Sequence, residues 1–464
     1  MTASSHRPAL ACLAIAMLMP SLDTSIANAS LPVLAHAFDA TFAQAQWVVL
    51  AYLLAITSLI VSAGRLGDLL GRRRVLAGGI ALFTLASLLC GLAPTLRVLL
   101  AARALQGLGA AAMLALTVAL VSETVTKERT GRAMGLLGTM SAIGTTLGPS
   151  LGGVLTATLG WRAIFLVNVP LGLATLWLAH RALPSTRPDA GRPRFDVAGT
   201  MLLAATLAAW SLAMTHGAGH ASVLALLGVA LATALLFVVV ETRSAAPLIR
   251  PALFRDPALS ARLAMSALVA TVIMTTMVAG PFYLSRTLGL PATGVGLALS
   301  AGPLVSALAG TPAGRLVDRF GAARMTLAGL AAMGLGALLL AAVPTGAGLP
   351  GYLAAIAVLT VGYASFQAAN NAALLSGADA AQRGVVSGLL SLSRNLGLVT
   401  GASAMGAAFA AAASTADIAS ASAAAVARGM HGVFAIAAGL IALALAAGVA
   451  AARPARGTPR QLPV

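Results

Sequence analysis

The sequence predicts an all-α polytopic membrane protein, on three observations. Apolar residues make up 59% of the chain and charged residues only 9%, where a soluble chain carries roughly a quarter charged residues. The apolar residues fall in repeated runs of about 20, the length that crosses a hydrocarbon core of about 30 Å. The basic residues gather in alternate gaps between those runs, the asymmetry that orients membrane helices. So few charged groups cannot cover a water-facing surface, which excludes a soluble globular domain.

Taken in order, the apolar runs cover residues 9–30, 44–63, 75–93, 98–121, 133–158, 162–180, 197–215, 221–240, 262–284, 293–313, 325–343, 350–375, 385–410 and 430–451, fourteen spans in all. The first run imitates a signal peptide, with His6 and Arg7 ahead of it and Ala27-Asn28-Ala29 resembling a cleavage site. Asp23 inside the run argues for an uncleaved first span. With the amino terminus placed in the cytoplasm, 23 of the 29 basic residues lie on or near the inner side, and Arg97, Arg162, Arg286 and Arg428 lie outside. Both termini are then cytoplasmic. This bias accounts for the net charge of +17 through the positive-inside rule and contact with anionic lipid, without nucleic acid. Lys127 is the only lysine, and the arginine, alanine and glycine content points to a GC-rich bacterial genome. The expected location is the bacterial inner membrane. Cys12 and Cys90 are too few for a disulfide or metal framework, and His216 and His220 have no third ligand nearby. No metal is expected.

The chain repeats itself. Gly64-Arg65-Leu66-Gly67-Asp68-Leu69-Leu70-Gly71-Arg72-Arg73-Arg74 recurs as Gly314-Arg315-Leu316-Val317-Asp318-Arg319-Phe320-Gly321-Ala322-Ala323-Arg324. Each copy reads as an inner loop after the second span of a set. Eight spans separate equivalent points, where two six-span halves would give six. The surplus pair is a hairpin over 197–240, between an N-terminal bundle over 9–180 and a C-terminal bundle over 262–451. Parallel repeats of this kind place a substrate site between the halves.

Four further stretches follow the same logic of small and polar residues inside spans. They are Leu22-Asp23-Thr24-Ser25 through Pro32, Arg103 through Gln106 to Gly109, Gly144 through Gly148-Pro149 to Gly153, and Trp161 through Asn168 to Pro170. With the repeat, they resemble the signatures of the major facilitator superfamily, and within it the fourteen-span drug/proton antiporter family, over residues of about 10 to 450. The resemblance implies two pseudo-symmetric six-helix bundles, alternating access, and export of small lipophilic compounds by proton antiport, with no enzymatic activity and no cofactor. It implies gating roles for Gly64, Asp68, Gly71, Arg72, Gly314 and Asp318, with Asp68 facing the helix that starts near Gly384 and Arg72 placed to reach Glu123. Gating is also implied for Gly144, Gly148, Pro149 and Gly152. The partners expected are a small-molecule substrate, protons and the bilayer; a periplasmic adaptor stays open. Two alternatives stay open as well. One is a dedicated exporter or importer of a single metabolite; the other is a membrane receptor or membrane enzyme. The Gly148-Pro149-Ser150-Leu151-Gly152 stretch matches a hydrolase nucleophile pattern but lacks its strand-turn-helix setting.

Asp23 is the only acidic residue deep in a span. Counting about 1.5 Å per residue, it lies roughly 21 Å from the inner face, at the depth of Arg103 on span 4. Two readings of the pair stay open: Asp23 takes up the proton while Arg103 tunes its affinity, or the pair is a permanent link between spans 1 and 4. Thr24, Asn28 and Gln106, with Phe366, Gln367, Asn370 and Asn371 on span 12, are candidates to line the substrate cavity, with interhelical hydrogen bonding as the rival. Met265, Met274 and Met277 offer a soft apolar surface or ordinary packing. Arg394 and Asn395 sit mid-span and need a partner or water. One deep carboxylate offsets one positive charge, so neutral or monovalent lipophilic substrates are expected.

Overall fold

The structure, a computed structural model, describes residues 6–125, 127–183, 196–215, 220–244, 251–376, 383–414, 418 and 421–452. Among the described residues there are fourteen long helices and no strand. They are α1 (His6–Ala29), α2 (Phe42–Leu70), α3 (Arg72–Gly91), α4 (Leu96–Thr124), α5 (Lys127–Leu159), α6 (Asn168–Ala182) and α7 (Val197–Thr215). Then follow α8 (His220–Arg243), α9 (Pro257–Phe282), α10 (Ala292–Phe320), α11 (Ala322–Ala342), α12 (Gly348–Ser376), α13 (Arg383–Thr400) and α14 (Ala423–Ala452). Thirteen are long and apolar enough to cross a membrane, counting Ala163–Leu166 ahead of α6 and Gly401–Ala412 after α13 with their helices. The exception is α5, which spans 33 residues but carries glycines, serines and threonines along its length.

Local chemistry sets several boundaries. The Thr41 hydroxyl accepts from the Gln44 backbone N–H while the Gln44 side chain accepts from the Thr41 N–H, a capping box that starts α2. Asp256 caps α9 ahead of Pro257, whose missing N–H is no loss in a first turn. The two repeat copies are almost wholly helical rather than looped, which corrects the loop expectation. Helix α2 runs on to Leu70 and α10 to Phe320, and a single residue breaks each chain, Gly71 at φ 93° and Gly321 at φ 84°. Positive φ is nearly free for glycine and strained for other residues. The spans were cut short because charged residues end an apolar window, while a helix continues past the membrane face.

Helix α1 packs against α4, α5 and α6, and α5 packs on its other side against α10. Helices α11, α12 and α14 form a second packed group with α9 and α13 beside them. The pair α7–α8 docks mainly through α7. Ser62 and Thr200 share a hydroxyl hydrogen bond at 2.6 Å, Trp47 Nε1 donates to Thr215 Oγ1 at 3.0 Å, and Leu203 and Leu207 meet Leu392 of α13. Helix α8 is exposed along most of its length, with Leu224, Leu231, Leu235 and Val238 outward.

Candidate functional site

Two polar assemblies stand out inside the apolar bundle. The first surrounds Asp23. Its Oδ2 accepts from Arg103 Nη1 at 2.5 Å, and its Oδ1 accepts from Gln106 Nε2 at 2.8 Å and Asn168 Nδ2 at 2.9 Å. Arg103 also donates through Nε to the Val48 carbonyl at 2.8 Å and through Nη1 to Gln106 Oε1 at 2.6 Å. Its guanidinium lies 4.2 Å from the centre of the Tyr52 ring and 5.7 Å from that of Phe165. Gln106 Nε2 donates to Ser87 Oγ at 2.8 Å as well. Asp23, Arg103, Gln106 and Asn168 are all buried, with Arg103 at 0% exposure. The net charge of the cluster is zero, and every carboxylate oxygen is bonded.

The sequence places these groups for definite reasons. The glycines of α5 recur every four residues and let α1 approach closely. A Cβ at Gly144 would stand 2.8 Å from the Leu18 carbonyl oxygen, one at Gly148 2.5 Å from Ser25 Cβ, and one at Gly152 3.2 Å from Ile26. Ser25 Oγ then donates to the Thr145 carbonyl at 2.9 Å. That seam fixes the helix bearing Asp23. The next residues of α5 face the other way: Ser150 N donates to Ser300 Oγ at 3.1 Å, and a Cβ at Gly296 of α10 would strike the Pro149 carbonyl. Depth counting brought Asp23 and Arg103 together correctly. Asn168 and Ser87 are polar groups inside apolar runs, but nothing in the sequence assigns either of them, or Tyr52, to Asp23.

The second assembly is a cavity of about 230 Å³ between α9, α12 and α13. Phe366, Gln367 and Asn371 line it, together with Tyr363, Ser266 and Arg394. Asn370 is not among these: it is buried and donates to the Arg262 carbonyl at 3.4 Å. Gln106 is likewise taken up by the Asp23 cluster. Thr24 Oγ1 donates to the Pro20 carbonyl at 2.8 Å and Asn28 Nδ2 to the Thr24 carbonyl at 2.9 Å, both within α1 and outside this cavity, while Asn28 Oδ1 is buried with no hydrogen-bond partner among the described residues. Met265 and Met274 are packed in the core. Asp23 is enclosed by its partners, and the residues lining the cavity include no carboxylate.

The two ends of the bundle differ. At the end away from Gly71 and Gly321, Phe42 of α2 meets Phe282 at 4.9 Å and Phe409 at 5.6 Å between ring centres, and Gln46 Nε2 donates to the Ala402 carbonyl at 2.9 Å. That end is sealed. At the arginine-rich end, Arg72 binds Asp68 at 2.8 Å, while Asp318 is exposed without an ion pair among the described residues. A Cβ at Gly64 or Gly314 would meet nothing within 4 Å. The Glu123 side chain and the first turn of α13 around Gly384 lie outside the described side chains.

A bundle of membrane-length helices that encloses a neutralised charge pair and a polar cavity has the make-up of a polytopic transporter. The chain belongs to the Major Facilitator Superfamily, which it matches over residues 13–401 and 262–463. It is 32% identical over 397 residues to the uncharacterized transporter YebQ of Escherichia coli strain K12, covering 85% of this chain and 87% of that one. It is 34% identical over 411 residues to the multidrug resistance protein Stp of Mycobacterium tuberculosis strain CDC 1551 / Oshkosh, covering 86% and 74%. A bacterial homolog of the human lysosomal transporter Spinster, solved inward-facing and unoccupied, superposes with a TM-score of 0.72 at 14% identity, covering 97% and 98%. That last likeness shows the fold alone. The protein is a multi-span membrane transporter with the major facilitator fold.

Proposed function

We propose that the protein exports small lipophilic compounds in exchange for protons, as a fourteen-span member of the superfamily in the bacterial inner membrane. Two halves, 9–180 and 262–451, are joined by the hairpin 197–240, and both termini are cytoplasmic. The observation that carries this reading is the sealed Asp23–Arg103–Gln106–Asn168 cluster. The likeness to a multidrug resistance protein supports the substrate class.

A proton taken up by Asp23 ends its charge pairing with Arg103 and leaves the guanidinium as one uncompensated positive charge in the cluster. Arg103 retains Gln106 Oε1 and the Val48 carbonyl, so it has somewhere to stay while Asp23 lets go. Helix α1 is seamed to α5, and α5 to α10, so a shift of α1 carries into the second half. The present form, sealed at Phe42–Phe282–Phe409 and open at the arginine-rich end, is the one that loads substrate from the cytoplasm. The reverse form closes the faces at Gly64 and Gly314. A monovalent cation finds a counter-charge only when Asp23 is released from Arg103. The test is dye accumulation in efflux-deficient bacteria with and without the protein, repeated with a protonophore. Lower accumulation that the protonophore abolishes is the expected result; equal accumulation in all four conditions would remove the export reading.

A further inference from the structure

The cavity between α9, α12 and α13 has a cation and no acid. Arg394 lines it, is exposed, and makes no hydrogen bond or ion pair with any described residue. Residues 257–376 and 383–414 hold one acidic residue, Asp318, which stands beside Gly321 at the arginine-rich end of α10. Asp379 precedes α13 and lies outside the described residues. Arg394 stands eleven residues into α13, roughly 16 Å along the helix, so no acid on its own helix accompanies it. Asp23, the one deep carboxylate, is already bound by Arg103, Gln106 and Asn168. A guanidinium at membrane depth is costly unless paired or hydrated, and its planar fork matches a carboxylate with two parallel hydrogen bonds.

The rest of the lining completes a two-part site. Gln367, Asn371 and Ser266 bring neutral hydrogen-bonding groups to the cavity, while Val269, Ile273 and Phe366 line it with apolar surface. We propose that Arg394 recognises a single negative charge on the transported compound, so that the preferred substrates are lipophilic monoanions, a carboxylate or sulfonate on a compact apolar body. This rests on the transport reading above and sets its substrate class. The volume of about 230 Å³ lies below the usual range of ligand pockets, roughly 300–1,000 Å³, and suits a small body of one or two fused rings.

Three probes share one apolar body and differ in charge: 2-naphthoate, 2-naphthamide and 2-naphthylmethylammonium. Binding is measured to the purified full chain in phosphatidylcholine nanodiscs, which present no net anionic headgroup. The parent should bind naphthoate at least about tenfold more tightly than the other two, the difference one charge-assisted pair supplies. Arg394→Gln should remove that preference and leave naphthamide affinity within about twofold, and Arg394→Lys should restore part of it. An unchanged unfolding profile certifies the Gln variant, which loses no hydrogen bond to a described residue. Equal affinity for acid and amide in the parent, or equal weakening of both by Arg394→Gln, would overturn the proposal. So would competition by added phosphatidylglycerol combined with no naphthoate flux in proteoliposomes, which would make Arg394 a lipid headgroup site. Arg394-dependent binding that phosphatidylglycerol leaves intact, again without flux, would keep the anion site and sink the transport reading instead.

Discussion

Asp23 accepts three N–H donors and shares them with one positive charge, so its removal has two separable effects. Asp23→Asn leaves the Arg103 guanidinium buried without a counter-charge, which costs about 3–5 kcal/mol in a buried pair. That variant should lose substrate-induced proton release in detergent and also unfold at lower temperature. The double variant Asp23→Asn with Arg103→Gln removes both charges and should regain most of the stability while staying uncoupled. If the double variant still transports and still releases protons, the pair is a structural link only. Pairing at depth was legible because only one acid and two arginines lie inside spans. The wider cluster was not legible, since Ser87 of α3, Tyr52 of α2 and Asn168 of α6 meet only through helix packing.

The α1–α5 seam is the element that ties the proton site to the rest of the bundle. Gly148→Val would drive branched carbon into Ser25, and overpacking of a tight core costs typically about 1–3 kcal/mol. Gly64→Ala adds a methyl group to open space in this form and should leave thermal unfolding unchanged. It should still slow transport, because the reverse form closes that face. A Gly64→Ala variant with normal transport would take Gly64 out of the gate. The glycine stripe itself was visible in the sequence as a four-residue period. Its partner was not, because a smooth face fits any neighbouring helix and only tertiary contact selects α1.

At the scale of the whole molecule, the Phe42–Phe282–Phe409 seal predicts a trap. Phe42→Cys with Phe409→Cys, bridged by a short bis-methanethiosulfonate reagent, should stop transport when cross-linked and recover on reduction; Cys12 and Cys90 are buried and should not interfere. Transport that continues in the fully cross-linked protein would show that this end need not open. The hairpin gives a second prediction. Deletion of residues 196–241 removes two helices, so a carboxy-terminal reporter should stay on the side it occupies in the parent. The deletion should also lower stability, since it strips Thr200 from Ser62 and Thr215 from Trp47. A reporter that changes sides would refute an even number of crossings in that stretch.

What can be read along the chain follows from local residue chemistry. Apolar run length set the helices, the basic loops set their expected orientation, and the repeated glycine-aspartate pattern marked two equivalent turns. Those are local properties of a chain dissolved in lipid, where every backbone group must be satisfied within its own helix. Tertiary structure decided which polar groups meet. It drew Gln106 into the charge cluster, turned Asn370 to a backbone carbonyl, and left Arg394 facing a cavity with no acid among its lining residues. Helical period fixes a face but not its neighbour, and in a bundle this apolar the few polar side chains are settled by whichever helix packs against them.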